Sequence, residues 1–193
     1  MPAIGHSDEE LARRFSAGDE SAFEALVNRY AKPVYNFALN FLGDSDEADE
    51  AAQMVFVQMY QSLPRARLDV PLKPWIYQIA RNKCIDLWRK RTTLSLSAAD
   101  PPDSADEAEQ TDWETPDPAP LLEELVERKD LQEILRAAIN ALPVKYRTAV
   151  TLRYVNELSF AEIARSMGVP ENTAKTYFQR AKKLLRRRLA KLL

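Results

Sequence analysis

The chain has 193 residues, enough for one domain or two small ones, and with 46% hydrophobic and 29% charged residues it reads as globular rather than disordered or fibrous. One cysteine, Cys84, excludes an internal disulfide, and one histidine, His6, leaves too few ligands for a Cys/His metal site. The formal net charge of −2 conceals segregation: residues 1–50 carry 11 acids and 4 bases, 65–91 carry 8 bases and 2 acids, 100–120 carry 8 acids and no base, and 140–193 carry 12 bases and 3 acids. Basic stretches on either side of an acidic one point to a polyanion partner. No apolar run approaches the ~20 residues of a membrane span, and no leader pattern opens the chain. A reducing, cytoplasmic location without membrane insertion is therefore expected.

In chain order, Phe23, Leu26, Val27 and Tyr30, then Val34, Phe37, Ala38 and Phe41, keep helical period. Gly43 can end that helix, and Asp44 with Glu47 can cap the next. The next helix is expected to bury Ala48, Ala52, Val55, Phe56 and Met59. Pro64, Pro71 and Pro74 frame a loop, and a helix over about 75–91 follows, with Cys84 as a small buried hydrophobe. Residues 92–120 hold five prolines and eight acids and few apolar groups, so they read as a linker. Beyond it, Leu131, Ile134, Leu135, Ala138, Ile139 and Leu142 mark a helix ended by Pro143. Tyr146, Ala149, Val150 and Tyr154 suggest another. Ser159 with Glu162 forms a capping box for a third, which turns inward through Phe160, Ile163, Ala164 and Met167. The turn Gly168-Val169-Pro170 leads to a last helix from about Glu171. The expected fold is all-α: two small helical domains, 1–91 and 121–193, joined by a flexible acidic, proline-rich linker over 92–120.

The segment from Ser159 to Leu189 has helix-turn-helix form. Ala174, Phe178, Ala181 and Leu185 would pack inward, leaving Lys175, Thr176, Gln179 and Arg180 outward, where such side chains suit base edges and phosphates. The bases that follow on the same helix suit phosphates better. Taken as structure alone, this is a surface helical hairpin with a solvated basic end. Residues 73–91 interleave Trp75, Tyr77 and Trp88 with Arg81, Lys83, Arg89, Lys90 and Arg91, a combination that suits single-stranded nucleic acid, although at least one of the aromatics is expected in the core. By helical phase Asn82 is exposed, and its amide can read a base edge.

The run W-I-Y-Q-I-A-R-N-K-C-I-D-L-W-R-K-R, preceded by D-S-D-E-A-D-E-A-A-Q-M-V-F and followed by A-L-P-V-K-Y-R-T-A-V-T-L-R-Y-V-N-E-L-S-F-A-E-I-A, resembles the extracytoplasmic-function (ECF) class of bacterial sigma factors over about Leu11 to Leu189. The resemblance implies a transcription initiation factor that binds core RNA polymerase at its β′ clamp and β flap, recognises −35 and −10 promoter elements and assists melting. It implies that Asp46, Asp49, Glu50, Gln53 and Phe56 meet the clamp. Asn82 would lie near an extruded −10 base, beside a pocket-shaping loop over about 64–73. Arg81, Lys83, Arg89 and Lys90 would hold DNA backbone, and Lys175, Thr176, Gln179 and Arg180 would read the −35 element. An anti-sigma partner is also implied. The chain departs from the family pattern at Asn172-Thr173-Ala174, where Gly-Thr-Val is common and Asn is a good N-cap, and at Tyr177 and Phe178.

No phosphate-binding glycine loop, triad or metal cluster is legible, so no catalysis, cofactor or metal is expected. Positioning and strand capture would be the work: extruding a base costs a few kcal/mol, recovered in a pocket that stacks and hydrogen-bonds it. A 29-residue linker spans up to ~95 Å, and elements one to two helical turns apart lie roughly 34–68 Å from each other. Two other readings compete: a polymerase-independent helix-turn-helix regulator, and a helical protein-binding adaptor.

Overall fold

The computed structural model describes residues 6–66, 71–95 and 129–190, without the side chains of 93–95 and 129–131. Most of the expected linker, residues 67–70 of the loop and the start of the second block at 121–128 lie outside the described residues. All regular structure within them is helical.

A helix not read from the sequence comes first. In α1 (Asp8–Ser16), the Ser7 hydroxyl accepts from the Glu10 amide at 3.2 Å, and Leu11, Ala12 and Phe15 are buried. Asp19 then does double duty. It caps α2 (Glu20–Leu42) by accepting from the Ser21 amide at 3.1 Å, and it receives Arg14 at 2.6 Å, which closes the corner between the two helices. Gly43 ends α2 as expected, at φ 82°.

Asp44 accepts from the amides of Asp46 and Glu47, both at 2.9 Å, to start α3 (Ser45–Ser62). The Glu47 carboxylate pairs with Arg91 at 3.0 Å. The inward face of α3 is rotated from the expected one: Ala48, Ala51, Val55 and Met59 are buried, while Ala52 and Phe56 are half-buried, because α2 and α4 cover neighbouring sides of this helix. A 3-10 turn over Leu63–Arg65 follows. The next helix, α4 (Leu72–Ser95), starts before Trp75 and carries Pro74 in its first turn, where a missing N–H costs nothing. Cys84 is buried, and burial pushes its thiol well above the ordinary range.

The second block contains α5 (Lys129–Asn140), α6 (Val144–Tyr154), α7 (Phe160–Met167) and α8 (Glu171–Leu189). The capping box forms: Ser159 accepts from the Glu162 amide, and Glu162 accepts from the Ser159 amide at 2.8 Å. Gly168 takes φ 67° in the turn. Asn172 is not the cap of α8. Pro170 holds that position, and the Asn172 carbonyl accepts from the Thr176 hydroxyl at 2.9 Å.

The main departure from the sequence reading is α6. Tyr154, expected inward, is 44% exposed, while Arg147, Thr148 and Thr151 are buried. The cause lies outside the helix: α6 packs on α8 with one side and on α2 and α4 with another, so both its apolar and its polar faces are covered. Likewise α4 packs against α7, and the buried apolar residues of the two blocks form a common cluster.

A Cβ added at Gly43 would lie 2.1 Å from the Asn140 side-chain amide and would hold a left-handed backbone. Gly43→Ala is expected to cost about 2 kcal/mol and to lower Tm by roughly 4–8 °C, measured by thermal denaturation followed by circular dichroism.

Candidate nucleic-acid and polymerase interfaces

Three surfaces carry the sequence-expected residues. The first is the outer stripe of α3. Asp46, Asp49, Glu50 and Gln53 are exposed, and Phe56 is half-buried beside them. Helical period extends this stripe to Val57, which is 56% exposed. Val57 was missed in the sequence; an apolar residue at the outer phase of an acidic helix was the available signal.

The second surface is a cleft of about 410 Å³ between α3 and α4, within the size range of small-ligand sites. Gln58 and Ser62 line it from α3, where the Gln58 amide donates to the Ser62 hydroxyl at 2.5 Å. From α4 come Trp75 and Ile79, and a polar ladder of Gln78, Asn82 and Asp86 with Lys83 beside it. Positions 78, 82 and 86 recur every four residues and so stack on one helix face. Asn82 is exposed as expected, and its side-chain oxygen accepts from Arg81 at 3.3 Å. Asp86 is exposed on the cleft wall and makes no ion pair among the described residues. Gln58, Ser62, Gln78 and Asp86 were missed as a group, because the approach of α3 to α4 cannot be read from either helix alone.

The basic residues of α4 are not equivalent. Arg89 and Lys90 are exposed on the turns beyond the cleft. Arg81 is half-buried, with its Nε buried and unpartnered among the described residues; burial lowers its pKa, with Arg89 adding repulsion. The aromatics divide as well. Only Trp75 faces the cleft, whereas Tyr77 is buried and Trp88 lies under the Arg147 guanidinium, 5.6 Å from ring centre to Cζ.

The third surface is the first half of α8. Ala174, Phe178, Ala181 and Leu185 are buried as expected, while Lys175, Thr176, Gln179 and Arg180 are exposed together. Lys175 pairs with Glu171 at 2.8 Å, and Arg180 donates to the Tyr146 hydroxyl at 3.4 Å, which steadies both side chains without burying them. Tyr146 and Tyr177 meet edge to face at 5.8 Å behind this face. Arg186, Arg187 and Arg188 continue the helix and are exposed.

A helix-turn-helix unit with an exposed polar and basic recognition face, packed with a helical unit whose basic helix borders a polar cleft, defines a two-part nucleic-acid-binding protein of the transcription-factor type. Comparison with known proteins narrows this. Residues 26–93 match the family model "Sigma-70 region 2", and residues 132–185 match "Sigma-70, region 4". The ECF RNA polymerase sigma factor SigW of Bacillus subtilis is 30% identical over 93% of this chain and 95% of its own length. The RNA polymerase sigma-H factor of Pseudomonas aeruginosa is 32% identical over 96% of this chain and 95% of its own. The fold is similar to that of CnrH, solved in complex with the cytosolic domain of CnrY, with a TM-score of 0.71, 21% identity, and coverage of 96% of this chain and 98% of that one.

The chain belongs to the sigma-70 family of RNA polymerase sigma factors, in its ECF class. It is an RNA polymerase-binding, promoter-recognising initiation factor, and sigma factors as a family are not enzymes. The match across both blocks decides against the independent regulator and the adaptor. No helix among the described residues is long and apolar enough to cross a membrane.

The unequal burial of the α4 bases yields a stability test. Arg81→Ala is expected to cost about 1 kcal/mol through lost packing of its stem. Arg89→Ala and Lys90→Ala are expected to stay within about 0.5 kcal/mol of the parent. Urea titration of the three variants measures this; equal effects would mean that the Arg81 stem contributes no packing.

Proposed function

We propose that the three surfaces divide the work of initiation. The α3 stripe of Asp46, Asp49, Glu50 and Gln53, with Phe56 and Val57 as its apolar contacts, binds the β′ clamp of core polymerase, and the second block meets the β flap. The α3–α4 cleft takes a base extruded from the −10 element, and Arg89 and Lys90 hold the adjoining phosphates. Lys83 contacts DNA from the cleft wall, and Arg81 supports that wall while presenting charge to the backbone. On α8, Lys175, Thr176, Gln179 and Arg180 read the −35 element in the major groove. The protein works in the cytoplasm with polymerase. RpoE of similar fold has been solved with the anti-sigma factor NepR, and a partner of that kind is proposed here too.

The observation that carries this reading is the cleft. Trp75 offers a flat aromatic face and Ile79 aliphatic surface to a base, and Gln78, Asn82, Asp86 and Gln58 offer donors and acceptors to its edge. Bases lie on the same helix to neutralise flanking phosphates. A clamp-binding stripe on the opposite flank of α3 would then bring polymerase and the extruded base to the same helix.

In vitro transcription with sigma-free core polymerase and genomic fragments tests it. Protein-dependent, promoter-localised transcripts are expected, and their start sites give the two elements. Asn82→Ala is expected to lower transcription about tenfold at about 1–3 kcal/mol for a lost base contact. Gln179→Ala should relax preference at one −35 position, whereas Lys90→Ala should weaken binding to all promoters evenly and reduce the salt slope by about 1. Transcripts that do not depend on the protein would overturn the reading.

A further inference from the structure

None of the three surfaces includes the acidic first turn of α1, which holds Asp8, Glu9 and Glu10. Acids in a first turn suit the positive end of their own helix. Two of these three also reach other helices. Asp8 accepts from the Arg29 guanidinium and from the Tyr30 hydroxyl, both on α2. At the other end of α1, Arg14 is tied to Asp19, the cap of α2. Leu11, Ala12 and Phe15 are buried between these ties, so α1 is fixed to α2 along its length. From this fixed helix the Glu9 carboxylate accepts from the Leu72 amide at 3.4 Å, across 63 positions of chain. Glu10, by contrast, pairs locally with His6 at 2.8 Å.

Leu72 is the residue at which α4 begins. The first amides of a helix have no intrahelical acceptor. Here the usual local remedy is missing: Pro71, which precedes the helix, has no side-chain oxygen to cap it, and Pro74 has no N–H to be satisfied. Glu9 answers one of the remaining donors from α1 and sets a negative charge at the positive end of α4. The Leu72 side chain is buried, so packing holds the same point. α1 also packs on the 3-10 turn over Leu63–Arg65. Both contacts border the α3–α4 cleft: Leu63 follows Ser62 of one wall, and Trp75 of the other wall lies three residues after Leu72. Three residues are about 4.5 Å along a helix axis, less than one turn. A binding ring must be held to about 0.5 Å, so the start of α4 governs where Trp75 stands.

We propose that Glu9 is a positioning residue for the cleft: it pins the first turn of α4 to α1 and so sets the Trp75 ring against which the extruded −10 base stacks. This rests on the base-capture reading above. Glu9 acts through Leu72 and Trp75 rather than by touching DNA, and α1 serves as the fixed arm from which it reaches.

The test uses holoenzyme assembled from core polymerase and the full chain. It is titrated with a fluorescent single strand carrying a −10 element mapped by transcription, and with the same strand made abasic at each position in turn. The parent is expected to lose about tenfold in affinity at one position, that of the captured base. Glu9→Ala is expected to weaken binding of the intact strand about three- to tenfold, and of that abasic strand by less than about twofold. Glu9→Asp keeps the charge of the α1 first turn but withdraws the carboxylate by one methylene, so it is expected to follow Glu9→Ala and still reports if that variant fails to fold. Glu9→Gln retains an acceptor of the same reach and is expected to restore most of the discrimination, while Glu10→Ala should match the parent. Hydrogen exchange of the free chains, read by mass spectrometry, is expected to quicken several-fold over residues 72–79 in Glu9→Ala and Glu9→Asp and to stay unchanged over α2. Equal losses on intact and abasic strands, binding unmoved by the folded variants, or unchanged exchange over 72–79 would each overturn the positioning role. A parent indifferent to every abasic substitution would overturn the base-capture reading and the positioning role with it; failure of the positioning role alone leaves the discrimination of the parent intact.

Discussion

The C-terminus of α2 is the constraint on which the arrangement depends. A helix leaves its last four carbonyls without intrahelical partners, and at α2 these are Leu39, Asn40, Phe41 and Leu42. Gly43 N–H answers Leu39 at 2.9 Å, possible because glycine accepts the left-handed turn. The other three are answered from elsewhere in the chain: Arg91 of α4 reaches Leu42 at 3.4 Å, Asn140 of α5 donates to Asn40 and Phe41, and Arg147 of α6 donates to Phe41. The last turn of α2 carries no base of its own, so the cations suited to the negative helix end come from α4 and α6. One helix end therefore draws three helices together.

This explains how a guanidinium can be buried with no acid to meet it. Arg147 is 3% exposed, and its pKa is lowered to about 10 by burial first and by Arg91 second, so it stays charged at neutral pH. It spends that charge on the C-terminal carbonyls of α2 and α5, which act together as a diffuse anion. Arg91 is held at the same helix end by Glu47, the first-turn acid of α3. Through Arg91 and Glu47 the hub thus also fixes α3 against α4, and the space between those helices is the cleft proposed to take a base. The same contacts that satisfy the helix end therefore also join α3 to α4 at the end of α3 away from the cleft.

Much of this was legible in the sequence wherever the signal was local. Helical period placed the buried faces of α2, α7 and α8; Gly43 and Gly168 marked helix ends; Ser159 with Glu162 announced a capping box that forms in full. The outward set Lys175, Thr176, Gln179 and Arg180 follows from the inward set on the same helix, and Asn82 from the phase of α4. What could not be read depends on what arrives from far along the chain. The phase of α3 is turned because two helices cover it. Tyr154 and the polar face of α6 exchange places because the first block buries Arg147, Thr148 and Thr151, which look like ordinary solvent-facing residues in sequence. Asn156 bonds across 123 positions to Pro33 and 79 to Tyr77, separations over which no periodicity speaks.

The junction between the blocks combines a shared apolar cluster with polar groups that cross it. Burial of that apolar surface favours association at about 25 cal/mol per Å² but carries little directional information. The polar groups that cross are an arginine, two asparagines and a serine, and the atoms they meet are mainly backbone carbonyls. They specify one geometry, because a guanidinium and an amide must both find the same Phe41 oxygen. The apolar cluster draws the blocks together, and these hydrogen bonds, each costly to leave unmade once buried, decide the register in which they meet.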